Sequence, residues 1–212
     1  MRAAALIAAV PLALLLGSFA TASAQEAASV NAPCVVENGA VIVSGTGFIP
    51  GDGIEVNGIG LFGTTAVDPT GAFSVEVFAP NLGTLRPDAT TETISVNDLN
   101  HPGATPITSF GVDTLAAAIV PGDARPAKRV TFVASGFVPG EPIYGHYLRR
   151  GRVRATKRLG IAAGPCGTLD VKSAMYPAGR TAAGTYKVQF DQSPTYSRQT
   201  PKPKATQTVT IL

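Results

Sequence analysis

The sequence has little of what most enzymes use. Among 212 residues there is no tryptophan, and there are two histidines, two cysteines and two methionines. Neither His101 nor His146 stands at metal-ligand spacing from another His or from Cys, so no metal site is expected. No Gly-x-Ser-x-Gly elbow, phosphate loop or His-Glu-x-x-His segment occurs. No catalytic set and no cofactor are therefore expected. Asp98 and Asp191 read as strand-end or turn caps. Long apolar runs are also scarce, and the longest, Ala3 to Leu16, stands at the N-terminus. Spanning a bilayer takes about 20 apolar residues, and this run is shorter and contains Pro11. Arg2 before it and Ala22-Ser23-Ala24 after it give it the form of a secretory signal cleaved near Ala24. The expected mature chain is extracytoplasmic and has no membrane span. In such a compartment the pair Cys34 and Cys166 is a disulfide candidate, the alternative being two isolated thiols. Usage rich in Ala, Gly and Arg points to a bacterial source.

What the chain does have is internal repetition. Val41-Ile-Val-Ser-Gly-Thr-Gly47-Phe48-Ile49-Pro50-Gly51-Asp52 recurs 89 positions later as Val130-Thr-Phe-Val-Ala-Ser-Gly136-Phe137-Val138-Pro139-Gly140-Glu141. Pro50 and Pro139 preset φ at the second turn position, and Gly51 and Gly140 accept positive φ at the third, so two type II turns are expected. Phe48 and Phe137 are expected to plug one end of each unit. A second pair of turns, Asp68-Pro69-Thr70-Gly71 and Gly164-Pro165-Cys166-Gly167, lies at an offset of 96. The second unit thus carries about seven extra residues between its turns. Elsewhere short alternating runs are punctuated by Gly, Pro, Asn and Asp, the pattern of strands and turns. The expected organisation is a signal at 1–24 and two all-β units, 25–113 and 114–212, each of β-sandwich size with about seven strands.

Gly184-x-Tyr186-x-Val188 resembles the penultimate strand of immunoglobulin-like folds, where a tyrosine two residues before a core position forms a tyrosine corner. The first unit has Ile94 at that place. The Gly-x-Gly-Phe-x-Pro-Gly pattern is similar to bacterial Ig-like modules of the IPT/TIG kind and, more distantly, to the neocarzinostatin-type sandwich. The resemblance implies two tandem Ig-like β-sandwiches. Members of such families serve as adhesion modules, spacers or small-molecule carriers.

The net charge of +3 conceals a division between the units. Residues 25–113 hold ten acids and one base, a net −9, whereas residues 114–212 hold fifteen bases and four acids, a net +11. Such asymmetry bears on partners rather than on fold. The densest basic run, Arg149, Arg150, Arg152, Arg154, Lys157 and Arg158, falls in the hairpin that gained residues. Strict alternation would put Arg152, Arg154, Thr156 and Arg158 on one face and Val153, Ala155, Leu159 and Ile161 on the other, toward the core, with Lys157 the polar exception among them. Arginine forks match phosphate and carboxylate, so this hairpin is the candidate surface for an anionic cell-envelope polymer or a protein partner. A solvated edge that discourages strand pairing is the structural alternative. No nucleic-acid partner is expected. Two other functions stay open: a small-molecule carrier with an aromatic-lined cleft, and self-assembly by acidic–basic pairing.

Overall fold

The computed structural model describes residues 25–84, 86–103, 105–177, 183–201 and 203–212. The signal at 1–24, with its cleavage site near Ala24, lies outside the described residues.

The first unit contains β1 (Ala27–Val30), β2 (Cys34–Val36), β3 (Ala40–Thr46), β4 (Gly53–Gly58), β5 (Leu61–Ala66), β6 (Ala72–Phe78), β7 (Ala89–Asp98) and β8 (Ile107–Asp113). The second contains β9 (Ala116–Val120), β10 (Asp123–Ala124), β11 (Arg129–Ser135), β12 (Pro142–Arg149), β13 (Arg152–Ile161), β14 (Leu169–Ala174), β15 (Gly184–Asp191) and β16 (Ala205–Ile211). Each unit is a sandwich of a three-stranded and a five-stranded sheet. The orders are β1-β3-β6 and β2-β8-β7-β4-β5 in the first, β9-β11-β14 and β10-β16-β15-β12-β13 in the second. The two topologies match strand for strand, so the fold is two tandem Ig-like β-sandwiches. Each unit has eight strands because its opening strand divides into two. The first piece joins the small sheet antiparallel, and the second crosses to pair parallel with the last strand, as β2 does with β8 and β10 with β16.

Alternation along the strands builds the cores. Val41, Val43, Ile54, Val56, Phe73, Ile94, Val96, Phe110 and Val112 are buried in the first unit. Val130, Phe132, Ile143, Tyr147, Val188, Phe190, Val209 and Ile211 are buried in the second. Each such side chain contributes roughly 1.5–3 kcal/mol relative to exposure. Tyr186 is buried against Tyr147 and Tyr176, and its counterpart Ile94 is buried as plain core.

The repeated motif acts as a closure. Asp52 N donates to Ile49 O at 3.2 Å and Glu141 N to Val138 O at 3.3 Å, across Gly51 at φ 90° and Gly140 at φ 80°. These are the type II turns that Pro50-Gly51 and Pro139-Gly140 call for. Phe48 and Phe137 are both buried. The earlier glycine of each copy has another task. At Gly136 (φ +76°) a Cβ would stand 2.8 Å from Leu115 Cα, because the connection between the units runs against the motif there.

The junction is tightly bonded. Asp113 Oδ2 accepts from Gly136 N at 2.8 Å, and Ser135 Oγ donates to Thr114 O at 2.5 Å. Thr114 Oγ1 donates to Arg86 O at 2.7 Å and accepts from Asp88 N at 3.1 Å. A Cys34–Cys166 disulfide spans the junction, joining β2 to the loop before β14. Gly111 lies directly over it, since a Cβ at that position would be 2.9 Å from either sulfur.

Candidate functional site

The site is built on the outer face of the larger sheet of the second unit. Its first element is the β12–β13 hairpin, where the extra residues went. The two-residue turn Arg150-Gly151 has φ of 52° and 72°, the left-handed pair of a type I′ turn that suits the strand twist.

The arginines do not form the single face that strict alternation gives. The register slips between Ile143 and Tyr144 and again between Tyr147 and Leu148, leaving Leu159 and Arg154 as unpaired, bulged residues of β13. A bulge re-aims everything beyond it. Residues directly opposite each other share a face, so Arg158 and Thr156 stand outward with Tyr144 and His146, while Arg152 falls on the side of Arg149. Val153 and Ile161 are 39% and 52% exposed rather than packed inward. Lys157 does take the inward parity that alternation gives it, opposite Gly145. Its Nζ donates to Ala174 O and stands 4.6 Å from the centroid of the Phe132 ring, so its charge closes the open edge of the sandwich. Burial and then the nearby Arg129 charge push its ammonium down to about 8. Arg149 is half-buried, with its guanidinium 5.8 Å from the Tyr186 ring centroid. Arg150, Arg152, Arg154 and Arg158 are exposed.

A different set of cations converges. Between β15 and β16, residues 192–201 and 203–204 lie across the outer face of the sheet. Between them and the hairpin tip lies a cavity of about 460 Å³, lined by Leu148, Arg150, Gly151, Thr185, Lys187, Gln189, Tyr196, Arg198, Lys204 and Thr206. Arg150 comes from the turn, Lys187 from β15, and Arg198 and Lys204 from the folded-back segment. The described lining includes no acidic residue. Tyr196 adds an aromatic face and Leu148 an apolar floor. Of these four cations only Arg150 belongs to the basic run of the sequence; Lys187, Arg198 and Lys204 are separated from it along the chain. The available signal was loop length: thirteen residues connect β15 to β16, against eight between β7 and β8.

Beneath that segment a buried polar network fixes its position. His146 and Asp191 are both fully buried on the sheet's outer face. His146 Nε2 lies 3.1 Å from Asp191 Oδ1 and 3.1 Å from Ser193 O. Both are acceptors, so Nε2 carries the hydrogen. Nδ1 meets Thr156 Oγ1 at 2.9 Å. Gln189 Nε2 donates to Asp191 Oδ2 at 2.6 Å and to Ser197 O at 3.1 Å. Burial pushes the Asp191 carboxyl up, but the hydrogen bonds from His146, Gln189 and Ser193 outweigh it and hold the group below the ordinary range. The network thus pins both ends of the turn that carries Tyr196 and Arg198.

A second cavity, about 680 Å³, opens between the units and is lined by Val36, Glu37, Asn38, Leu115, Gly136, Pro203 and Lys204. No aromatic side chain is in that described lining, so it does not match the aromatic cleft expected of a carrier. Among the described residues no lysine or arginine lies within 4.0 Å of a carboxylate, and the ion pairs present both involve histidine. Among the described residues the charge division between the units is therefore not consumed by direct Lys/Arg–carboxylate pairs. Among the described residues no helix is long and apolar enough to cross a membrane.

No known protein family matches the chain, and no curated protein does. Solved structures similar to it include a tetra-tandem repeat from the extending region of a large adhesion protein (13% identity, covering 88% of this chain and 48% of that one, TM-score 0.29). A 1.5-MDa bacterial ice-binding adhesin, described for host cell surface retention, is 18% identical over 88% of this chain and 63% of its own (TM-score 0.34). A Ca2+-stabilised adhesin of an Antarctic bacterium that binds ice is 18% identical over 89% of this chain and 48% of its own (TM-score 0.33). The chain spans about half to two thirds of the length of these neighbours. Likeness at this level does not extend to what the chain binds.

Proposed function

We propose that this chain is an extracytoplasmic, non-enzymatic binding protein whose acidic unit, 25–113, presents a basic unit, 114–212, to anionic polymer of the cell envelope. The observation that carries the reading is the convergence of Arg150, Lys187, Arg198 and Lys204 on one cavity without an acidic lining residue. Unpaired cations from three chain segments, braced by a buried network, form a preorganised anion site. Thr185, Gln189 and Thr206 supply neutral hydrogen-bonding groups, and Tyr196 offers a surface for a sugar ring. The secretory form of residues 1–24 and the Cys34–Cys166 bond support an oxidising, external location.

The test is retention of residues 25–212, disulfide intact, on heparin or polyglucuronate columns at low salt, with inorganic phosphate as competitor. Arg198→Glu/Lys204→Glu is expected to abolish retention, while Arg152→Glu/Arg154→Glu elutes near the unaltered protein. If the second variant loses retention and the first does not, the polymer lies along the hairpin rather than in the cavity. If neither changes retention, the reading fails. Added salt weakens a charge-driven interaction between exposed groups.

A further inference from the structure

The first unit holds a cluster that sequence spacing did not reveal. Asp52 ends the repeated Pro50-Gly51 turn, Asp98 is the last residue of β7, and His101 sits in the loop beyond it. The fold brings one ligand-capable atom from each within 4.8 Å of the others. His101 Nδ1 is 2.6 Å from Asp52 Oδ2. Asp98 Oδ1 accepts from Asn100 N and His101 N, both at 2.9 Å.

The other Asp98 oxygen is the informative one. Asp98 is 8% exposed, and its Oδ2 is buried with no hydrogen-bond partner. A carboxylate oxygen taken out of water without a partner is costly. The matching residue of the second unit shows what is missing. Asp191 ends β15 as Asp98 ends β7, and both of its oxygens are satisfied, Oδ1 by His146 and Ser193 and Oδ2 by Gln189. At Asp98 no side-chain donor plays the part of Gln189, and the neighbouring side chain is a second carboxylate, Asp52, itself 8% exposed. His101 Nδ1 donates to Asp52 Oδ2 here and would give up that hydrogen as a ligand, so the two buried carboxylates, with Asp98 Oδ2 unpartnered beside Asp52, are the acceptor-rich set that calls for a cation.

The geometry points to a divalent transition-metal site of the Zn2+ type, with Asp52, Asp98 and His101 as its protein ligands. Imidazole nitrogen with carboxylate oxygen suits Zn2+ rather than Ca2+, which prefers oxygen alone. The His101 side chain is 58% exposed, so the solvent side is open for a water as fourth ligand. Two ligands at about 2.0–2.1 Å from a tetrahedral ion stand about 3.3 Å apart, against 2.6 Å for the hydrogen-bonded His101–Asp52 pair, so the exposed ring moves outward by roughly 0.7 Å when metal binds. The other acid-and-sulfur cluster, Cys34, Asp113 and Cys166, does not compete, because its sulfurs are bonded to each other.

The experiment uses untagged residues 25–212, non-reduced and stripped with EDTA, titrated separately with Zn2+, Mn2+ and Ca2+ by calorimetry, with a thermal melt beside each. One Zn2+ per chain is expected, with a higher unfolding temperature for the first unit. His101→Ala is expected to weaken Zn2+ binding by about 10- to 100-fold or more, and Asp98→Asn to do the same. His101 is solvent-exposed, so its variant tests the site even if Asp98→Asn does not fold. Binding unchanged in His101→Ala, binding of Ca2+ alone, or no Zn2+ binding would each overturn the assignment. None of these outcomes bears on polymer retention by the second unit.

Discussion

His146 Nε2 lies 3.1 Å from Asp191 Oδ1, and neither side chain reaches solvent. The pair, with Gln189, holds residues 193–197 against the sheet, so its loss affects both stability and the anion cavity. His146→Leu leaves a buried carboxylate short of its strongest donor and is expected to cost about 3–5 kcal/mol, read from urea unfolding at neutral pH. The folded-state pKa of Asp191 lies below its ordinary 3.8. Its contribution is therefore present above pH 3.8 and lost as pH falls below that value. The stability gap between the two proteins should narrow in that acid range; a gap constant with pH would show that Asp191 is not the group concerned.

The junction contains a carboxyl with the opposite tendency. Burial, with the Glu37 charge adding to it, pushes Asp113 up to about 6 against the pull of the Gly136 N–H. Between pH 3.8 and about 6 the folded state binds more protons than the unfolded state, so stability falls as pH rises through that window. Asp113→Asn keeps an acceptor for Gly136 N and removes the slope. The variant should match the unaltered protein at the acid end of the window and exceed it above pH 6. Parallel urea titrations across the range measure this.

The two glycines of the repeated motif should respond unequally to alanine. Gly140 has φ +80° and nothing within 4 Å of a Cβ, so Gly140→Ala costs the left-handed strain alone, about 1–2 kcal/mol. Gly136→Ala adds a collision with Leu115 Cα and Thr114 O and should cost roughly twice that or more. Equal losses in chemical denaturation would mean that the connection between the units yields easily.

Reduction of Cys34–Cys166 should leave both cores folded, because each sandwich has its own apolar cluster. Differential scanning calorimetry is expected to show coupled unfolding in the oxidised protein and two separated transitions after reduction. Across a separation of 132 residues, the chain-entropy model gives the cross-link about 5 kcal/mol. A single unshifted transition in both states would contradict the independence of the cores.

Turn chemistry made the scaffold legible. Pro50-Gly51 and Pro139-Gly140 specify their turns locally, and Val41, Ile54, Val130 and Ile143 alternate as buried strand residues must. The split opening strands were not legible, since the three residues of β2 and the two of β10 are too short to show a period. The cation site was only partly legible. Arg150 stands in an obvious basic run, but the bulges at Arg154 and Leu159 break the face that alternation assigns to its neighbours. Lys187, Arg198 and Lys204 meet it only because a loop folds back over the sheet. The convergence of Asp52 with Asp98 and His101 was not legible, because 46 positions separate Asp52 from Asp98 and only the fold brings them together.

The cross-link between the units also determines how the chain would carry tension. Pulled at residues 25 and 212, the oxidised protein transmits force directly from Cys34 to Cys166. Strands β3 to β13 lie inside that covalent shortcut and stay out of the load path. Only residues 25–34 and 166–212 can be drawn straight, which at about 3.3–3.6 Å per residue is about 200 Å of extension, against about 650 Å for the reduced chain. The bond therefore acts as a stop: β1, β14, β15 and β16 can be drawn out, while β3 to β8, with the Asp52–Asp98–His101 cluster, stay shielded from the load.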